Sequence, residues 1–109
     1  MPRESPGEFE QLILLAILRL GTDAYGVPII EEIEQRTGRS VSQAAAYLTL
    51  KRLEQKGWIQ SRMAAPTPER GGRAKRFFFV RPAGVRRLQA AREELLSMWE
   101  GLEPELDRR

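Results

Sequence analysis

The side chains best placed to do chemistry in this sequence are suited to binding a polyanion. Arg70, Arg73, Lys75 and Arg76 crowd around Gly71-Gly72, where two residues without side chains permit close backbone approach and the cations suit phosphate oxygens. Upstream, Gln43, Tyr47 and Lys51 recur at a spacing of four, which places them on one face of a helix. Gln43 has the bidentate amide geometry that matches an adenine edge, and Ser42 and Thr49 are short polar groups able to reach bases or phosphates. Ala44 and Ala45 keep the helix surface low enough to enter a groove, and Lys51 and Arg52 suit phosphates. Tyr47 suits either a sugar-phosphate or thymine methyl contact, or a half-buried place against a neighbouring hairpin.

Catalysis has little support. The chain has no cysteine and no histidine, which excludes thiol catalysis, disulfides and zinc-finger chemistry and removes the most versatile proton shuttle. Glu8, Glu10, Glu31, Glu32 and Glu34 read as solvated helix faces, and no serine or threonine has an evident base partner. The expectation is a protein that is not an enzyme, with no catalytic residue, no cofactor and no metal site.

Charge is distributed in blocks. Residues 1–35 carry 2 Lys/Arg and 7 Asp/Glu, a net of −5; residues 36–87 carry 13 Lys/Arg against Glu54 and Glu69, a net of +11; residues 88–109 carry 3 and 6, a net of −3. The whole-chain value of +3 therefore conceals a basic middle between acidic ends, the electrostatic signature of a polyanionic partner.

Local signals supply the elements that would position these groups. Ser5-Pro6-Gly7-Glu8 has the form of a capping box and predicts a helix over 6–20. A turn cluster at 21–26 precedes a second helix over 26–36, with Ile29 or Ile30 and Ile33 inward and Gly38 as its C-cap. Ser42 is the expected N-cap of a third helix closed by Gly57, with Ala46, Leu50 and Leu53 inward. Residues 58–63 and 75–80 are rich in β-formers, and the Pro- and Gly-rich stretch between them predicts a hairpin with a long basic tip. Pro82 then starts a helix to about residue 102.

This order predicts a mainly α fold: a winged helix-turn-helix with a two-stranded β-wing and a C-terminal dimerisation helix. The length of 109 residues suits one ordinary domain, divided here into a DNA-binding unit over 1–81 and a dimerisation helix and tail over 82–109. The third helix is expected in the major groove of double-stranded DNA, with the wing on an adjacent phosphate strand or the minor groove.

The first helix carries one apolar stripe from Phe9 to Leu20, and Leu14, Leu15 and Leu18 besides; a helix apolar all round is either central or shared with a partner. In the last helix Val85, Leu88, Ala91, Leu95, Met98 or Trp99 and Leu102 recur every three or four residues, like a coiled-coil seam. A homodimer follows as the expectation, with Phe9, Leu12, Leu88, Leu95, Trp99 and Leu102 at its interface. The longest apolar run, residues 12–18, falls well short of the roughly 20 residues of a membrane span, and Glu8 and Glu10 stand where a signal peptide would be positive. A cytoplasmic protein without membrane contact is expected.

Six stretches carry a family resemblance: GEFEQLILLAILRLG at 7–21, AYG at 24–26, IxxxTG at 33–38, AYLTLKRLEQKGWI at 46–59, ERGGRAKR at 69–76 and RPAG at 81–84. Together they resemble the PadR family of bacterial transcriptional regulators, in its short form with a single C-terminal helix. The resemblance implies a homodimeric repressor on an inverted-repeat operator, with Gln43, Ala44, Tyr47 and Lys51 of the third helix and Arg73 and Lys75 of the wing facing DNA. It also implies a candidate site for a small aromatic effector at Trp99 in the dimer seam, where an aromatic can equally be plain packing. Relatives commonly have threonine where this chain has Arg81, a side chain that cannot N-cap the last helix in the usual way. The competing reading is a winged-helix protein-interaction module that binds an acidic protein or surface through its basic wing.

Overall fold

A computed structural model describes residues 5–65 and 74–102. Its elements are α1 (Glu8–Leu20), a 3-10 turn (Gly21–Asp23), α2 (Gly26–Thr37), α3 (Gln43–Gln55), β1 (Ile59–Ala64), β2 (Lys75–Val80) and α4 (Pro82–Trp99). The order is the expected one: three helices, a hairpin and a last helix.

α1 is the central element, packed against α2, α3 and β2. That surrounding explains its composition, because Ile13, Leu14, Ala16 and Ile17 are all buried, and a helix covered on several sides needs apolar residues outside a single stripe. Leu14, read from the sequence on the helix's second side, is fully buried. Leu15 and Leu18 alone of that set stay open, at 45% and 48% exposure.

The start of α1 differs from the capping box predicted at Ser5 and Glu8. Gly7 is the N-cap residue, and its N–H donates to Glu10 Oε1 at 2.8 Å. The register moves two residues because Glu10 is held from the far side as well: Lys56 Nζ donates to its other oxygen at 2.9 Å. Pro6 is buried and its carbonyl accepts from Gln11 Nε2 at 3.1 Å, while Glu8 pairs with Arg39 at 2.7 Å.

α2 turns Ile29 and Ile33 inward and ends at Gly38, whose φ of 74° is left-handed backbone that glycine adopts without strain. The connection to α3 is fastened by Glu34, whose carboxylate accepts from the Val41 N–H at 3.0 Å. Ser42 caps α3 as expected, its Oγ accepting from the Ala45 N–H at 3.0 Å. Ala46, Thr49, Leu50 and Leu53 form the buried face of α3.

β1 and β2 pair antiparallel from Ile59↔Val80 at the base to Ala64↔Lys75 toward the tip. The Phe78 N–H donates to the Ala24 carbonyl at 2.8 Å, which ties the hairpin to the turn before α2, and the Arg81 N–H donates to the Trp58 carbonyl at 2.8 Å, which closes the base of the hairpin one pair beyond the strands. At the start of α4, Arg81 gives no side-chain cap and Pro82 takes the first turn. Arg81 Nη1 donates to Gln60 Oε1 at 3.0 Å instead. Gly84 is buried in the first turns of α4, and a β-carbon there would stand 2.9 Å from Val80 Cγ1 and 3.2 Å from the Trp58 carbonyl carbon.

Candidate nucleic-acid interface

The outer face of α3 follows from the helical period. With Ala46, Thr49, Leu50 and Leu53 inward, Gln43, Ala44, Ala45, Tyr47 and Lys51 are exposed, and the capping Ser42 is exposed beside the first turn. Thr49, read from the sequence as a group for bases or phosphates, is 4% exposed and belongs to the core. Leu48, which the sequence reading passed over, is 63% exposed on the same outer surface, an apolar group of the kind that meets thymine methyls. Its signal was that it falls off the inward stripe.

Arg52 lies on another flank of α3. Its Nη1 stands 3.6 Å from Glu10 Oε2, the oxygen that also accepts from Lys56. Glu10 is therefore no solvated carboxylate but a buried clamp between the start of α1 and the end of α3. Burial opposes its charge, yet the Gly7 N–H, Lys56 and Arg52 together outweigh burial and hold its carboxyl below the ordinary value of 4.5.

The hairpin brings Arg76 beside α3. Arg76 Nη1 donates to Ser61 Oγ at 2.8 Å, and the same hydroxyl donates to Glu54 Oε2 at 2.7 Å, a chain linking β2, β1 and α3. Between them Tyr47, Leu50, Lys51, Glu54, Arg76 and Phe78 line a cleft of about 350 Å³. Lys75 Nζ lies 5.1 Å from the centre of the Tyr25 ring, within cation–π reach. The structure thus brings Gln43, Tyr47, Lys51, Lys75 and Arg76 to neighbouring elements, while Arg70 and Arg73 lie outside the described residues.

A second exposed surface is apolar. Leu15 and Leu18 of α1 and Leu88, Leu95, Leu96 and Trp99 of α4 line a groove of about 440 Å³. Ala91 of α4 is buried, whereas every described residue from Arg92 onward is exposed, including Leu95, Leu96, Met98, Trp99 and Leu102. Phe9 and Leu12, expected at an interface, are half-buried and pack against the core, as Leu88 does, while Leu15 and Leu18 are the more exposed residues of α1. No helix among the described residues is long and apolar enough to cross a membrane.

Compared with known proteins, the sequence matches the model of the transcriptional regulator PadR-like family over residues 14–90. Curated proteins give no match. Among solved structures, a PadR-like transcriptional regulator from Bacillus cereus is similar at 17% identity and a TM-score of 0.73, covering 93% of each chain. A PadR family transcription regulator from Clostridium difficile is similar at 20% identity and a TM-score of 0.71, covering 90% of this chain and 98% of its own. Bacillus subtilis PadR, solved in complex with operator DNA, is similar at 21% identity and a TM-score of 0.62, covering 76% of this chain and 47% of its own. These neighbours share the winged-helix architecture described above.

Proposed function

From the premise that this chain belongs to the PadR-like family of transcriptional regulators, we propose that it is a repressor that binds a palindromic operator as a homodimer. The observation that carries the proposal is the common placement of the outer face of α3 and the cations of the hairpin: Tyr47 and Lys51 share one cleft with Arg76. The operator complex of Bacillus subtilis PadR supports the choice of duplex DNA over an acidic protein as the partner.

In this reading Ser42, Gln43, Ala44 and Tyr47 enter the major groove, with Gln43 reading an adenine edge. Lys51, Lys75 and Arg76 meet phosphates, joined by Arg70 and Arg73, and these contacts fix register without reading sequence. Arg52, half exposed beside Glu10, is placed to meet a phosphate as well. The unit over 1–81 binds DNA, and the helix and tail over 82–109 pair two copies through Leu88, Leu95, Trp99 and Leu102, together with Phe9, Leu12, Leu15 and Leu18 of α1. Trp99 at that seam is the candidate contact for a small aromatic effector.

The test is selection from random duplexes at rising salt. A two-fold motif that persists as nonspecific binding disappears supports the reading, whereas loss of all duplexes together refutes it. In the same selection Gln43→Ala is expected to relax preference at one position per half-site, a change of about 1 to 3 kcal/mol. An unchanged motif would remove Gln43 from the reading face.

A further inference from the structure

Gly26 opens α2 and is buried, and it lies against Tyr47, one of the groups proposed to touch DNA. A β-carbon at this position would stand 2.9 Å from Tyr47 Cζ and 3.0 Å from Cε1, with Oη nearer still. Gly26 is not among the glycines with positive φ, so the backbone itself would accept alanine, and helix propensity would favour it. What the position requires is empty space, and the tyrosine ring of α3 occupies it.

The residues just before Gly26 hold the wing. The Ala24 carbonyl accepts from the Phe78 N–H at 2.8 Å. The half-buried Tyr25 ring packs edge-on against Phe77, with centroids 5.4 Å apart and an interplanar angle of 66°, and Lys75 Nζ lies 5.1 Å from its centre. One tripeptide thus touches the hairpin through its first two residues and the outer face of α3 through its third.

We infer that Gly26 is a positioning residue for the DNA-reading face: by presenting no side chain, it lets Tyr47 lie across the start of α2, in fixed relation to the hairpin that Ala24 and Tyr25 hold. A side chain at 26 pushes the Tyr47 ring outward, toward the surface that α3 presents to the groove, and alters how helix and wing engage one duplex together. The inference rests on the DNA-binding reading proposed above, and the experiment separates the two.

The wild-type protein is first used to select a duplex from a random pool, and affinity for it is measured by fluorescence anisotropy. Gly26→Ala is expected to bind about tenfold more weakly while melting no lower than the wild type. In a Tyr47→Ala background the same substitution is expected to change affinity by less than about twofold, because the clash is gone and the two effects are coupled. Tyr47→Phe, which removes the nearest atom, restores part of the loss in Gly26→Ala. Equal losses in both backgrounds, or none in either, overturn the role given to Gly26. A Gly26→Ala protein that melts well below the wild type in both backgrounds assigns the glycine to folding and overturns it too. Failure of the wild type to select any duplex instead overturns the DNA-binding reading on which the inference stands.

Discussion

The face made by α3 and the hairpin and the face made by α1 and α4 are both open to water, yet what they hold out differs in kind. On the first, Gln43, Lys51 and Arg76 are groups that water solvates well, set beside Tyr47 and Leu48 and arranged by the buried clamp at Glu10 and the Arg76–Ser61–Glu54 chain. On the second, Leu15, Leu18, Leu95, Leu96, Met98 and Trp99 are exposed apolar side chains. Burying such groups stabilises a structure by about 1.5 to 3 kcal/mol for each large side chain fully covered. The apolar face therefore gains by meeting another apolar surface, in the proposal above that of a second copy, whereas the basic face gains most from an anion. The lesson is that exposure alone does not define an interface; the solvation of what is exposed decides the partner.

The contrast is broken most severely at α4. Leu95→Asp places a charge in the apolar groove and is expected to yield a monomer in sedimentation, with affinity for a two-half-site duplex reduced by about 100-fold or more. A variant that still sediments as a dimer would show that the apolar face does not join the chains. A smaller effect is expected at Glu10, the residue tying α1 to α3. Glu10→Gln should cost about 1 to 3 kcal/mol of unfolding free energy at neutral pH, read from urea denaturation, because Lys56 loses its buried counter-charge.

The acid response of Glu10 follows from the same linkage. Its folded-state pKa lies below the ordinary 4.5, so its contribution is complete above that value and is lost as pH falls through the lower folded value. Wild type and Glu10→Gln should therefore converge in stability in acid; a constant gap would assign the loss to packing. The smallest effect belongs to single phosphate contacts. Lys51→Ala is expected to weaken all duplexes alike and to lower the slope of log affinity against log salt by about one, and an unchanged slope would take Lys51 off the DNA.

Much of this arrangement was legible in the sequence because it rests on local rules. Ser42 at the N-cap of α3, Gly38 after α2, the inward set Ala46, Leu50 and Leu53 and the β-rich runs on either side of a Pro- and Gly-rich stretch are each dictated by neighbours within a few residues. What escaped was set by distant partners. Glu10 reads as a solvated helix residue until Lys56 is brought to it from 46 positions away, and that pairing also explains why the cap of α1 sits at Gly7. Thr49 looks like a reader when α3 is viewed as a narrow stripe, and it is buried because α3 packs against α1, α2 and β1 over a wider arc. The role inferred for Gly26 was equally hidden, since glycine at a turn is ordinarily read as a demand of φ.

The root of α4 has a consequence for geometry at long range. At Gly84 the helix meets the Trp58 carbonyl and Val80 too closely to admit a methyl group, so its direction is set at that point by backbone packed on backbone. The helix has 18 residues, about 27 Å at 1.5 Å per residue, and its far half leaves the domain. It is a lever with its fulcrum at a glycine: a tilt of a few degrees there displaces the far end by roughly an ångström or two. In the dimer proposed above, the angle at this fulcrum would set how far apart the two α3 helices stand, and with it the half-site spacing that such a pair could span.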